Sequence, residues 1–229
     1  MLKKQMSVIH HPWDLSPKEA IELQKQLAPR VIHKSTLKIN RIRKIAGIDT
    51  AYRDGVACAA VVVLQFEDLK ALESETAVRP IDFPYVPGLL SFREGPVILE
   101  ALHKLKSPPD LLIFDGQGIA HPRRFGIASH IGLLVDIPSI GCAKTKLVGH
   151  YDEPQPEQGR YSYLTDQGKT IGAVVRTCKA VKPVFVSGGH RVNLRDSIKL
   201  VLHCCKGYRL PETTRKADKL SRKMLPKTI

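Results

Sequence analysis

Residues 44–79 read KIAGIDTAYRDGVACAAVVVLQFEDLKALESETAVR and contain three runs with the composition of β-strands. The runs cover 44–51, the stretch 56–66, which is rich in β-branched residues, and 71–79. The connections between them are short, Arg53-Asp54-Gly55 and Glu67-Asp68, and connections of this length join neighbouring antiparallel strands. The sequence therefore predicts a three-stranded antiparallel meander.

The segments on either side of this meander alternate between helical and strand-like patterns. Before it, Ser16-Pro17-Lys18-Glu19 has the residues of a capped helix start, and that helix is expected to end near Pro29. After it, apolar residues at 98, 101, 102 and 105 predict a helix that starts at Gly95-Pro96 and stops at Pro108-Pro109. The remaining predictions are strands at 111–115, 139–143 and 184–187, a hairpin with its tip at 166–169, and helices at 126–136, 193–206 and 212–224. This order predicts one α/β domain, 1–229, with a mixed sheet of the ribonuclease H-like type flanked by helices.

The chain carries a large excess of positive charge. It has 36 Lys and Arg against 22 Asp and Glu, which gives a formal net charge of +14 over 229 residues. Such a charge favours nucleic acid as the partner, because each phosphate that is neutralised releases counterions. A basic surface that only keeps the protein in solution is the other interpretation.

Cysteine usage and hydropathy indicate a soluble, cytoplasmic protein. The five cysteines are odd in number and include the adjacent pair Cys204-Cys205, which argues against a disulfide framework and a zinc site. The sequence contains no run of about 18 apolar residues that would predict a membrane span. Residues 10–14 interrupt the apolar run that a signal peptide would need. We expect a monomer, with a flexible basic arm over residues 1–12.

Two carboxylates follow apolar strands at comparable positions. Asp49 comes after 45–48, and Asp115 comes after 111–114. If these strands are neighbours, the two side chains converge and repel each other unless a cation or strong donors compensate. Carboxylate oxygens favour Mg²⁺ or Mn²⁺, which can activate water for phosphodiester cleavage. For either residue alone, turn formation is the alternative interpretation.

The loop after Asp115 has an unusual concentration of functional residue types. Residues 115–126 read DGQGIAHPRRFG, so two glycines, His121 and two arginines precede a predicted helix. Glycines permit close approach of a ligand to the backbone, and helix N-termini attract anions. Lys144, at the end of another strand, could lie over a phosphate as a compact charge. The alternatives are a well-formed loop with surface arginines and a solvated lysine.

Six segments in a fixed order resemble the motifs of the endonuclease V family. They are GIDTAY at 47–52, PYVPGLLSFRE at 84–94, DGQGIAHPRRFGIASH at 115–130, GCAK at 141–144, SGGHR at 187–191 and KGYRLPETTRKAD at 206–218. The resemblance covers residues 45 to 223. It implies a ribonuclease H-like fold and metal-dependent cutting on the 3′ side of deoxyinosine, one nucleotide beyond it.

The resemblance also implies which residues carry the reaction. The catalytic carboxylates that hold Mg²⁺ or Mn²⁺ correspond to Asp49, Glu94 and Asp115. A fourth acidic position corresponds to Asp218, with Asp196 as a substitute candidate. His121 is expected beside the metal or the cleaved phosphate, and Lys144 beside the phosphate.

A second group of residues is implied in substrate binding. Tyr85 corresponds to the tip of a wedge that separates the two DNA strands. A proline-flanked ring is suited to this role, because it is held rigidly and can stack where a base leaves the duplex. The glycine-rich segments are expected to form the base pocket. The full substrate-binding set is Tyr85, Gly88, Arg93, Gly116, Gly118, Gly141 and His190.

These residues favour a DNA repair endonuclease specific for deoxyinosine that leaves a 5′-phosphate and a 3′-hydroxyl. An endoribonuclease specific for inosine in RNA is one alternative. A basic nucleic-acid-binding module with purely structural carboxylates is another. The third is a different ribonuclease H-like nuclease such as a junction resolvase, which would require a dimer and a branched substrate.

Overall fold

The computed structural model describes residues 9–225, and within that range eight strands form one mixed sheet. The strands are β1 (Lys44–Arg53), β2 (Val56–Gln65), β3 (Ala71–Pro80), β4 (Leu111–Phe114), β5 (Ser139–Ala143), β6 (Tyr161–Asp166), β7 (Lys169–Val175) and β8 (Val184–Gly188). The helices are α1 (Pro17–Leu27), α2 (Leu90–Lys104), α3 (Ile127–Val135), α4 (Leu194–His203) and α5 (Glu212–Met224). Across the sheet the order is β3-β2-β1-β4-β5-β8-β7-β6.

The predicted meander forms one half of this sheet. β1 pairs with β2 and β2 with β3, both antiparallel, and the strand ends lie within two residues of the predicted ones. β4 then pairs parallel to β1, and β5 parallel to β4. The meander is therefore confirmed, and the parallel strands place the ends of β1, β4 and β5 at the same edge.

Both faces of the sheet are covered, because successive side chains of a strand point to opposite faces. Ile45 and Ile113 contribute to a core under α4 and α5. Ile48 and Phe114 contribute to a core with α2 and α3 on the other face. Burying each such side chain stabilises the fold by about 1.5–3 kcal/mol. The longest described helix has 15 residues, and no helix of the described part combines the length and apolar character needed to cross a membrane.

Helix α2 begins five residues earlier than predicted, at Leu90 rather than at Gly95. Proline is common at helix starts, which led to the prediction, but Pro96 lies inside the helix. It removes one helical hydrogen bond, while burial of Ser91 and Phe92 stabilises the turn before it. Glu94 is therefore a helical residue on the buried side of α2.

Residues 9–12, which belong to the predicted flexible arm, contact α3, and residues 1–8 lie outside the described part of the chain. The backbone N–H of Ile9 donates to the carbonyl of Leu134 at 3.4 Å. The ring of His11 stacks on that of His130, with centroids 4.9 Å apart and the two Nε2 atoms at 2.8 Å. These contacts attach the segment to α3.

Helix α5 crosses β1 at a point where only glycine fits. A Cβ added at Gly47 would lie 2.0 Å from the carbonyl oxygen of Thr213. We expect Gly47→Ala to lower the free energy of unfolding by about 1–3 kcal/mol, because the strand and helix backbones must separate. Urea denaturation of both proteins measures this difference. Equal stability would contradict the close approach of α5 to β1.

Candidate active site

The register between β1 and β4 brings Asp49 and Asp115 together. Ile48 is paired with Phe114, and the N–H of Asp115 donates to the carbonyl of Ile48 at 3.1 Å. By strand alternation, both carboxylates belong to the sheet face that α5 covers. The two residues therefore occupy adjacent positions in the middle of the sheet, as the sequence predicted.

A lysine and a serine approach these carboxylates from either side. Lys144 directly follows β5, and its Nζ lies 2.5 Å from Oδ2 of Asp115 and 3.9 Å from Oδ1 of Asp218. From α5, the hydroxyl of Ser221 donates to Oδ2 of Asp49 at 2.8 Å. Asp218 lies one helical turn before Ser221, so α5 supplies both the fourth carboxylate and a donor for the first.

Glu94 reaches the site from α2, on the other face of the sheet. It is buried and accepts a hydrogen bond from the hydroxyl of Tyr52. Arg93 was predicted to bind substrate. Its Nη1 donates to the carbonyl of Phe83 at 2.7 Å, and its guanidinium lies 5.1 Å from the centre of the Tyr52 ring. In this structure Arg93 therefore connects Tyr52, which donates to Glu94, to the loop that precedes α2.

Burial and mutual repulsion dominate the electrostatics of these carboxylates. Burial and, after it, the charge of Asp115 raise the pKa of Asp49 to about 7. Burial also raises the pKa of Glu94 to about 8, against the hydrogen bond from Tyr52. Burial lowers the pKa of Lys144, but its contact with Asp115 outweighs this effect and the net shift is upward. The cluster thus contains one side chain that stays positively charged, Lys144, and a larger number of carboxylates.

The donors at this site fit a divalent cation in type and in charge. Among residues 9–225, no three His, Cys, Asp or Glu side chains are arranged to enclose a metal as they stand. The carboxylates are instead engaged separately by Lys144, Ser221 and Tyr52. Carboxylate oxygens are the ligands of Mg²⁺ and Mn²⁺, and a cation would favour the ionised forms of Asp49 and Glu94, whose pKa values burial raises.

His121 is held by hydrogen bonds at both nitrogens of its ring, and its role beside a metal or phosphate stays a prediction. Its Nε2 donates to the carbonyl of Gly88 at 2.9 Å, and its Nδ1 accepts the N–H of Arg123 at 3.2 Å. Burial lowers the pKa of His121 to about 4, so the ring is neutral. With both ring nitrogens engaged, His121 joins the loop after β4 to the loop of Tyr85. The side chain of Tyr85 itself is 73% exposed.

The glycines of the predicted base pocket pack closely against neighbouring residues. A Cβ at Gly118 would lie 2.1 Å from the carbonyl oxygen of Gly188, and a Cβ at Gly141 would lie 2.3 Å from the nitrogen of Gly118. A Cβ at Gly116 would lie 2.6 Å from Cγ2 of Ile127. These glycines bring the loop after β4 onto β5, β8 and α3 without intervening side chains.

Two of the predicted residues lie away from the site. His190 follows β8, which runs antiparallel to β5, so it lies at the amino end of β5 rather than beside Lys144. Its Nδ1 accepts the N–H of Ile32, and its Nε2 donates to Asp136. Asp196 accepts hydrogen bonds from Ser35 and Asn193 at the start of α4. These hydrogen bonds do not connect either residue to the carboxylate cluster, and the substrate-binding role of His190 and the acidic role of Asp196 stay predictions.

Ser221 and Gln24 are site residues that the sequence interpretation missed. Ser221 follows Asp218 by three residues, which places both on one face of a helix. Gln24 lies in the apolar stripe of α1, between Ala20 and Leu27, where it is 1% exposed. A polar residue at a core position of a helix is the signal that could have identified Gln24.

The raised carboxyl pKa values predict how stability depends on pH without metal. In the unfolded chain these groups have pKa values of about 4, so the folded state binds more protons up to pH 8, and its stability falls as pH rises. Between pH 7 and 8 the loss from Glu94 is about 1 kcal/mol, or about 2–4 °C in Tm.

Thermal unfolding in EDTA at pH 7 and pH 8 measures this loss. Glu94→Gln should reduce the decrease in Tm, since the variant has no carboxyl to titrate at that position. Added Mg²⁺ should raise the Tm more at pH 8 than at pH 7, because cations compete with protons for the same oxygens. A Tm in EDTA that rises from pH 7 to 8 would contradict the carboxyl pKa values.

The chain is similar to known proteins over most of its length. The family model of Endonuclease V matches residues 25–219. Endonuclease V of Roseiflexus sp. (strain RS-1) is 52% identical over 210 residues, which cover 92% of this chain and 94% of that protein. The crystal structure of Endonuclease V from Streptomyces avermitilis has 43% identity and a TM-score of 0.88, and the match covers 95% of this chain and 96% of that one.

A structure of Ciona intestinalis Endonuclease V is also similar, with 28% identity and a TM-score of 0.81 over 91% of this chain and 97% of that one. That protein is in complex with a 24mer DNA that contains an inosine followed by a ribo-adenosine. These neighbours confirm the predicted ribonuclease H-like fold. The chain therefore belongs to the Endonuclease V family, as its six sequence motifs indicated.

Proposed function

We propose that this protein is a metal-dependent DNA repair endonuclease that nicks the backbone 3′ to deoxyinosine, one nucleotide beyond the lesion. The observation that carries the proposal is the cluster of Asp49, Asp115 and Asp218 around Lys144 in a member of this family. The net charge of +14 favours a polyanionic substrate. The inosine-containing DNA bound by the Ciona relative supports the choice of lesion.

The carboxylates supply the oxygens for a divalent cation, Mg²⁺ or in its place Mn²⁺. Asp49, Asp115 and Glu94 would hold it. Such a cation supplies activation of water and stabilisation of the leaving oxygen, giving 5′-phosphate and 3′-hydroxyl ends. Ser221 keeps one oxygen of Asp49 oriented, since its hydroxyl donates to Oδ2.

Lys144 is the positive side chain of the reaction centre. Its main chain is held in place, because Nη2 of Arg209 donates to the Lys144 carbonyl at 2.6 Å and to that of Pro183 at 2.9 Å. Its Nζ, which pairs with Asp115 in this structure, is the group we assign to the cleaved phosphate. A half-buried lysine with a raised pKa remains charged at neutral pH.

Selection of the lesion requires the base to leave the duplex. An inosine pair is weaker than a normal pair, so extruding that base takes less free energy. The exposed ring of Tyr85 is the wedge that would stack in the gap. Gly88 and the glycine segments at 116–118 and 141 would form the pocket for the extruded base.

Asp115→Asn tests the reaction. We expect the variant to lose cutting of an end-labelled duplex with one inosine by at least about 100-fold, the scale of removing a principal catalytic group, and to retain DNA affinity. Wild type should give one nick 3′ to the inosine with Mg²⁺, none with EDTA, and none on an undamaged duplex. Asp152→Asn, an exposed change of the same kind, is the matched control and should cut like wild type.

The outcomes of this assay separate the candidate functions. Full turnover by Asp115→Asn would contradict its role as a metal ligand. Tight binding without any nick by wild type would favour the binding-module interpretation. An inosine-containing RNA of the same sequence, assayed in parallel, tests the endoribonuclease: faster cutting of RNA than of DNA would make RNA the substrate.

Tyr85→Ala tests the wedge. Stacking of an aromatic ring on a base is worth about 1–3 kcal/mol, so we expect kcat/KM on the inosine duplex to fall about 5- to 100-fold. Affinity for undamaged duplex, measured by fluorescence anisotropy in EDTA, should change much less. Equal losses in both measurements would make Tyr85 a general DNA contact rather than a wedge.

A further inference from the structure

The carbonyl oxygen of Gly88 accepts three hydrogen bonds from three different side chains. The donors are Nε2 of Gln24 at 3.0 Å, Nε2 of His121 at 2.9 Å and Nη2 of Arg123 at 2.8 Å. A peptide carbonyl oxygen has two lone pairs, so the three donors share them and no capacity to accept a further hydrogen bond is left. We call Gln24, His121 and Arg123 the carbonyl clamp.

Gln24 is the member of the clamp that connects all of its parts. Its Nε2 also donates to the carbonyl of Phe125 at 3.2 Å, and its Oε1 accepts from Nε of Arg123 at 2.5 Å. It thus joins α1 to the loop before α2 and to the loop after β4. A buried amide is unfavourable unless its donors and acceptor are satisfied, and both ends of this one are used.

The clamped carbonyl belongs to the turn that carries Tyr85. The N–H of Leu89 donates to the carbonyl of Val86 at 2.9 Å, which closes the turn, and Gly88 has a φ of +81°. A Cβ at Gly88 would lie 2.8 Å from Nη2 of Arg123, so the clamp and the glycine depend on each other. On the other side of Tyr85, Arg93 holds the carbonyl of Phe83.

We propose that Gln24 is a positioning residue for lesion recognition, which fixes the turn at 86–89 so that the exposed ring of Tyr85 is presented in one orientation. The role of Tyr85 rests on the proposed function, whereas the immobilisation of the turn by Gln24 does not. A rigid wedge separates strands more effectively than a mobile one, because no free energy is spent on ordering it during binding. Gln24 touches neither the carboxylates nor Lys144 among its described hydrogen bonds.

Two substitutions remove the clamp in different ways. Gln24→Leu deletes the donors and the acceptor at similar volume. Gln24→Glu keeps an acceptor for Arg123 but loses both N–H donors. Because its negative charge would be paired with Arg123, this variant replaces the leucine variant in the tests if Gln24→Leu folds poorly. The matched control is Gln26→Leu, which makes the same chemical change at an exposed position of the same helix.

Hydrogen exchange followed by mass spectrometry of the full chain tests the clamp independently of activity. We expect exchange in a peptide covering 84–92 to accelerate about five- to tenfold in Gln24→Leu and Gln24→Glu, the scale of one lost hydrogen bond. Peptides from β1 and β4 should be unchanged, and Gln26→Leu should match wild type throughout. Unchanged exchange at 84–92, or acceleration across all peptides, would overturn the clamp.

A double-mutant cycle on the inosine duplex then tests the link to recognition. Gln24→Leu should lower kcat/KM on the inosine duplex about tenfold, and Gln24→Leu combined with Tyr85→Ala should be no slower than Tyr85→Ala alone. A merely destabilising change would instead multiply with Tyr85→Ala, and that result would overturn the proposal. If wild type cuts no inosine substrate, the proposed function fails while the exchange result still decides whether Gln24 fixes the turn.

Discussion

Asp49 and Asp115 lie on adjacent parallel strands, where their charges repel each other and burial raises the pKa of Asp49. Most other features of the site compensate for this repulsion. Lys144 contributes a positive charge from the end of the next strand, and Ser221 contributes a hydroxyl from α5. A divalent cation would complete the compensation, and for this reason the same cluster that opposes folding at high pH favours metal binding.

Helix α5 is placed by packing rather than by charge. Gly47 lets its first turn lie directly against β1, and the following turns then bring Asp218 and Ser221 over the carboxylates. The site is therefore built from central strands of the sheet and from a helix that is distant from β1 in sequence but in backbone contact with it. Rigid elements of this kind hold catalytic groups more accurately than loops do.

The part that we propose recognises the lesion is organised differently. Tyr85 lies on a short turn with an exposed ring, and that turn is held by hydrogen bonds to its carbonyls from Gln24, His121 and Arg123. His121 belongs to the same sequence motif as Asp115, and its ring faces Gly88.

The sequence by itself determined the strand meander, the carboxylates within β1 and directly after β4, and the family, because alternation, short turns and ordered motifs are local patterns. Tertiary structure alone decided that α2 starts before Pro96, that His190 lies at the opposite end of β5, and that Gln24 reaches Gly88. Strand direction and contacts between distant segments set these outcomes, and neither leaves a periodic signal along the chain. A polar residue in the apolar stripe of a helix, such as Gln24, is the sequence feature that best indicates such a contact.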